Sequence, residues 1–353
     1  MNRFAWASRR AFSFVAVPLV GALVGALIQG MPAEALPSAK NTQSSNPLAV
    51  ATAEDFGPSA SSSSDEALAG FGDASGYHVQ LGRESGGFAW KSLAVIKPQG
   101  VDASSWTGYQ CLSGDGKYAA VAVLAASSVN LTAARDRGAF GYSIELATGK
   151  VTPVVSGVGL KYYSPGCGAA DTAVFSLSLG AQEQTTGLVS VDLASGKVTA
   201  STTAAGQVSS AVPTPGGVIG VVGSGLVAVP GNGTDTSPAK PSEVATVKGS
   251  AFNLRPSGDG GVDLLNVAVD NSHTQVMHFD GKKLTTLGQG SVNKVALFGG
   301  RDGKNTITGL EAAPSSSALK NVDSSHLSGP AVGASLNGDA VFGAKQTPRP
   351  VPP

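Results

Sequence analysis

The chain has 353 residues, 24 of them basic and 24 acidic, for a formal net charge of zero; 14% are charged and 42% hydrophobic. That balance, with no basic cluster after the amino terminus, excludes the concentrated positive face by which a nucleic-acid binder displaces phosphate counterions. The 47 glycines and 20 prolines, and the lack of long charged amphipathic stretches, argue against a mainly helical protein and for many short elements.

In chain order, residues 1–35 read as an export signal. Arg3, Arg9 and Arg10 precede an apolar stretch from Ala11 to Ile28, and Ala33-Glu34-Ala35 supplies a small-x-small cleavage site. Pro18, Gly21 and Gly25 soften the stretch, which fits removal better than a retained anchor, so membrane contact is expected only transiently, through this segment. Ser8-Arg9-Arg10-Ala11-Phe12 resembles the start of a twin-arginine signal, but Ser13 stands where an apolar residue is usual, and both export routes stay open. Residues 36–70, with Ser61-Ser62-Ser63-Ser64, are expected to form a disordered Ser/Ala-rich linker, having too little apolar content to offset the entropy of ordering. Residues 71–345 carry the folded domain, and 346–353 form a Pro-rich tail of polyproline type.

Within the domain one phrase returns. Ile144-Glu145-Leu146-Ala147-Thr148-Gly149-Lys150-Val151-Thr152 is echoed by Val191-Asp192-Leu193-Ala194-Ser195-Gly196-Lys197-Val198-Thr199, and Lys150 to Lys197 is 197 − 150 = 47 positions. Each reads strand, tight turn, strand. A third copy stands at Phe279-Asp280-Gly281-Lys282-Lys283-Leu284, with a degenerate one between, from Gly225 to Gly233. A second turn type alternates with the first, at Ser113 to Lys117, Gly168 to Thr172, Thr214 to Gly217, Ser257 to Gly260, Gly300 to Lys304 and Asn337 to Asp339. Two turn types alternating at this period predict an all-β protein, β-propeller-like, of about five to seven blades of antiparallel sheet.

The two cysteines, Cys111 and Cys167, hold equivalent places before Gly turns in consecutive repeats, so a disulfide between neighbouring sheets is expected rather than a redox pair. Trp106-Thr107-Gly108-Tyr109-Gln110-Cys111, Ala119 to Leu124, Asp136-Arg137-Gly138-Ala139-Phe140 and Tyr162-Tyr163-Ser164-Pro165-Gly166-Cys167-Gly168 resemble the amino-terminal repeat region of very large secreted actinobacterial proteins. Some members of that group carry RHS-type modules downstream. The similarity runs from about Phe88 to Val229. It implies a secreted, propeller-like, non-catalytic module and brings no ligand and no catalytic residues.

No catalytic constellation is found. The four histidines, His78, His273, His278 and His326, are few for a metallo-hydrolase and read as surface or loop groups. Ser237 and Ser317 open Ser-x-x-Lys sequences without the partner motifs that would make them nucleophiles. Asp115, Asp171, Asp259, Asp302 and Asp339 recur at turns, where aspartate more often bonds the backbone than calcium. No cofactor, metal or catalytic residue is therefore assigned. The aromatic residues crowd the first half of the domain, and Trp90, Trp106 and Tyr109 are the candidate ligand-facing rings, with Trp106 and Tyr163 also expected beside the disulfide. The expected protein is a secreted monomer, cell-wall associated, that binds a cell-wall glycan or a protein partner or acts as a scaffold. The alternative is a propeller hydrolase or lyase with a site at the axial channel.

Overall fold

A computed structural model describes residues 60–311, apart from 181, 231–237, 293, 301–302 and 304, together with 333–334. All lie in the unit Ala49–Pro353. The export signal, most of the expected linker, the tail, His326, Ser237, Ser317, Asp302 and Asp339 fall outside the described residues.

Strands follow one another in antiparallel meanders. The first sheet holds β1 (Glu66–Gly72), β2 (Tyr77–Arg83) and β3 (Lys91–Ile96); the second β4 (Trp106–Leu112), β5 (Tyr118–Ala125), β6 (Ala139–Glu145) and β7 (Val151–Val158). The third holds β8 (Gly166–Cys167), β9 (Thr172–Leu179), β10 (Thr185–Asp192) and β11 (Lys197–Ala205). The fourth holds β12 (Ser209–Thr214), β13 (Gly217–Val222), β14 (Gly225–Val229) and β15 (Ser242–Thr246). The fifth holds β16 (Ser250–Pro256), β17 (Val262–Val267), β18 (Thr274–Phe279) and β19 (Leu284–Gly290). A sixth, described only in part, contains β20 (Ala296–Phe298), β21 (Thr306–Thr308) and β22 (Gly333–Ala334). Five antiparallel blades and this partial sixth make the chain an all-β propeller, within the expected range of blade number.

The two turn types take the places their alternation predicts. Ser113 to Lys117, Gly168 to Thr172, Thr214 to Gly217 and Ser257 to Gly260 join the first and second strands of successive blades, and the Gly149, Gly196 and Gly281 turns join third to fourth. In a meander both kinds open on the same side of the sheet. They are stitched together there: Leu146 N–H donates to Lys117 O (2.9 Å), Leu193 N–H to Asp171 O (2.7 Å), Gly114 N–H to Gly168 O of the next blade (2.8 Å) and Gly258 N–H to Gly303 O (3.0 Å).

Packing explains why the strands read as they do. In β5, Ala119, Val121, Val123 and Ala125, joined by Trp106 of β4, pack on Val79, Leu81 and Ile96 of the first blade, while Ala120, Ala122 and Leu124 pack on the third with Ala173, Phe175, Val191 and Leu193. A strand buried on both faces is a continuous apolar run rather than an alternating one. The same division recurs in β9, whose Ala173 and Phe175 face blade two and whose Val174 faces blade four with Leu188, Ala211 and Val229. Two further interfaces of this kind run from blade four to the partial sixth sheet.

The boundary expected at residue 70 is corrected. β1 starts at Glu66 and pairs along its length with β2, from Glu66 opposite Arg83 to Gly72 opposite Tyr77. Its small residues resemble linker composition for a steric reason: a Cβ on Gly72 would run into the Trp106 carbonyl, and one on Gly70 into the Tyr77 ring. The expected disulfide is present, joining Cys111 of β4 to Cys167 of β8 across blades two and three, with Cα atoms 5.7 Å apart.

Two outcomes follow for stability. Closing a loop across 56 positions constrains the unfolded chain by about 4 kcal/mol, so the Cys111→Ser/Cys167→Ser variant will show a lower urea midpoint than the oxidised protein; an equal midpoint would show that the cross-link contributes nothing. A Cβ on Gly114 would stand 2.5 Å from Ala169, so Gly114→Ala will destabilise by about 1–3 kcal/mol in thermal melts, whereas an unchanged melt would mean the two turns do not abut.

Candidate binding face

Opposite the tight turns lie the second-to-third and blade-to-blade connections. The β5–β6 connection contains the short helix α1 (Thr132–Arg137); the β7–β8 connection carries Lys161, Tyr162 and Tyr163; and the β9–β10 turn carries Glu183. They hold one another through backbone bonds from Leu160 N–H to Arg135 O (2.7 Å) and from Gly159 N–H to Ser176 O (2.8 Å).

Four rings meet here. Tyr109 on β4 lies 5.2 Å from Tyr162, Tyr162 lies 6.4 Å from Tyr163, and Tyr163 lies 5.7 Å from Phe252 on β16, all tilted pairs of the kind aromatic quadrupoles favour. The row thus runs from the first strand of blade two, over the approach to blade three, to the first strand of blade five. Tyr162 is 75% exposed and Tyr163 38%, while Tyr109 and Phe252 are half-buried. Burial pushes the Tyr109 hydroxyl up to about 12, aided by its bond to Tyr162, and burial also raises Tyr163, so these two phenols are neutral at physiological pH. Tyr163 sits at φ +60, a conformation rare for an aromatic residue, which turns its ring toward Phe252.

Beside the rings is a compensated charge cluster. Arg135 Nε donates to Asp136 (2.9 Å) and its Nη2 lies 3.9 Å from Glu183; Lys161 is 4.0 Å from Glu183 and also donates to Ser178 Oγ. Burial would raise the Asp136 carboxyl, yet the hydrogen bond from Arg135 and the neighbouring charges hold it below the usual carboxylate range. Next to Tyr163 lies Arg255 of β16, whose Nε is fully buried without a hydrogen-bond partner.

The expected ring set is partly redistributed. Tyr109 stands in the row. Trp106 does not face a ligand: it is 2% exposed, and β1 and the sheet-one core cover it where strand alternation turns it inward. Nor does it pack in the disulfide cluster, which belongs to the opposite face of blade two. Trp90, 48% exposed, stands over Gly82 beside the outer strand of blade one, away from the first strands that carry the row. Sequence reading passed over Tyr162, Phe252 and Arg255 as binding groups; the adjacent tyrosines were the one available signal, since nothing local shows that β16 meets the β7–β8 connection.

His278 is also corrected, from a surface or loop group to a half-buried one on β18. Its Nδ1 bonds Asp263 Oδ1 (2.7 Å) and its Nε2 bonds Asp259 Oδ2 (2.9 Å), while Asn305 Nδ2 donates to Asp263 Oδ2 (2.7 Å). The hydrogen bond to Asp263, with both carboxylate charges, outweighs burial and raises the imidazole to about 9. This clamp joins the tight-turn side of blade five to the partial sixth sheet. Asp115 and Asp259 bond turn N–H groups, at Lys117 (3.1 Å) and Gly261 (2.9 Å). Among the described residues, no group of three or more His, Cys, Asp or Glu is placed to hold a metal, and no helix is long and apolar enough to cross a membrane.

No protein-family model matches the chain, and no curated protein does. Among solved structures it is similar to TolB from Acinetobacter baumannii, at 16% identity and TM-score 0.45 over 72% of this chain and 63% of that one. It is also similar to the β-propeller domain of the Trilobed protease from Pyrococcus furiosus (12%, TM-score 0.35, 67% and 70% of the two chains). A functionally unknown protein from Desulfotomaculum acetoxidans is a third (14%, TM-score 0.39, 69% and 73%). The chain spans just under two thirds of the TolB chain, and no function follows from similarities at this level.

A raised imidazole makes stability depend on pH with a defined sign. The clamp contributes fully below the ordinary His value near 6.5 and is lost as pH rises through about 9. Stability to urea will fall across that window by about 1–2 kcal/mol, the shift being reduced for solvent screening, and His278→Gln will abolish the slope; an unchanged slope in the variant would place the titration elsewhere.

Proposed function

We propose that the chain is a secreted, non-catalytic propeller module that binds a cell-wall glycan at the cell surface. The observation that carries this reading is the row Tyr109, Tyr162, Tyr163 and Phe252. Sugar rings have one flat apolar face and a rim of hydroxyls, and half-exposed tyrosines offer rigid rings for the face and phenol groups for the rim. The flanking charges of Arg135, Asp136, Lys161 and Glu183 are already paired, so they hold the connections in place and give the platform a polar border.

A hydrolase or lyase calls for an acid and a base turned toward an open site. His278, with Asp259 and Asp263, is the grouping closest to that description, but both of its nitrogens and the second oxygen of Asp263 are engaged within the fold, on the second and third strands of blade five rather than at the axis. That arrangement favours binding over catalysis.

Sedimentation of the secreted protein with purified, insoluble cell-wall glycan tests the reading. Saturable binding is expected, weakened about tenfold in Tyr162→Ala/Tyr163→Ala with the melting temperature unchanged, since stacked rings contribute about 0.5–1.5 kcal/mol each. Equal binding by that variant, or none by the wild type, would overturn it.

A further inference from the structure

Arg255 stands apart from the other cations near the row. Arg135 has Asp136 and Lys161 has Glu183, whereas among the described residues Arg255 makes no ion pair and its Nε finds no acceptor. Its place is fixed by a register shift in β16 between Phe252 and Arg255, where Asn253 and Leu254 turn into the core. Asn253 pins that bulge, donating from its backbone N–H to Ser210 Oγ (3.2 Å) and through Nδ2 to Leu297 O (2.8 Å). Phe252 and Arg255 are thereby left flanking the bulge, partly exposed, beside Tyr163 on one side and Gly299 on the other.

We propose that Arg255 is the anion subsite of the aromatic row, and that the ligand is therefore a saccharide bearing a carboxylate; this rests on the binding reading above. A guanidinium cannot shed its charge at working pH, even though burial lowers its proton affinity here, so leaving it unpaired beside apolar rings costs stability in the free protein. A ligand carboxylate removes that cost by supplying the missing acceptors, and the planar fork of donors matches its two oxygens. A side chain at Gly299 would meet Arg255, its Cβ 3.9 Å from Nη1, and the glycine keeps that space free, while Tyr163 and Phe252 offer the ring faces against which the rest of the sugar stacks. Neither half alone selects a ligand; together they select one that is both ring-shaped and acidic.

The test uses the secreted full chain with a fluorescent hexuronate oligosaccharide, its neutral methyl ester and polyglutamate as probes. The wild type is expected to hold the hexuronate about tenfold more tightly than the ester, because hydrogen bonds to a charged group are the strong ones. In Arg255→Met this preference falls to unity while ester binding persists and the melting temperature stays level or rises; Arg255→Lys keeps part of the preference. Equal affinity of the wild type for acid and ester, or a preference that survives Arg255→Met, would overturn the subsite and leave the glycan platform standing. A lower melting temperature in Arg255→Met would overturn it too, marking a structural arginine. Tighter binding of polyglutamate would replace the saccharide by a peptide, and binding of none of the three would overturn platform and subsite together.

Discussion

Blades two to five of this protein each have two apolar faces and can cover neither by themselves. Alanine, valine and leucine on β5 alternate between blade one and blade three, and the same partition passes on through β9 and along the ring to Leu265 and Val276 of blade five, which lie against Leu297 and Ile307. Burying roughly 25 cal/mol of hydrophobic stabilisation per Å² requires that neighbouring sheets stay in register, since a slip of one residue would exchange the two faces. The rest of the structure serves that requirement. The disulfide between β4 and β8 and the chain of contacts from Ser210 through Asn253 to Leu297 tie first strand to first strand, and the bonds from Gly114 to Gly168 and from Gly258 to Gly303 tie turn to turn.

That division of labour leaves the two sides of the ring with different freedoms. The tight-turn side is consumed by register: short Gly and Asp turns, backbone bonds between them, and the imidazole of His278 held between carboxylates. The opposite side carries the connections 126–138 and 159–165, which present side chains as well as backbone bonds. There Tyr162 and Tyr163 lean across from the approach to blade three toward blade five, and the buried Nε of Arg255 beside them has no hydrogen-bond partner among the described residues. Stability on one side and unsatisfied chemistry on the other is the pattern expected of a rigid scaffold that displays a site.

The repeat made the fold legible because hairpin chemistry is local: Gly with a positive φ and Asp bonding the next N–H are written into five or six consecutive residues. The disulfide was legible for the same reason, each cysteine preceding an equivalent turn. β1 was obscured by its own packing, since close approach to Trp106 and Tyr77 demanded glycine and alanine, the residues that also make a linker. Trp106 was misassigned because a large ring gives no sign, within its own strand, of which neighbour will cover it. His278 was invisible as a clamp because its partners are 15 and 19 positions away on other elements, and Arg255 because its meaning lies in a buried Nε without a partner among the described residues.

The central claim is that function resides on the side opposite the tight turns. Hydrogen exchange of the protein, followed by mass spectrometry with and without soluble cell-wall glycan fragments, tests it directly. Protection is expected in residues 159–165 and 250–256, with the turns at 113–117 and 257–261 unchanged. Protection confined to those turns would contradict the account.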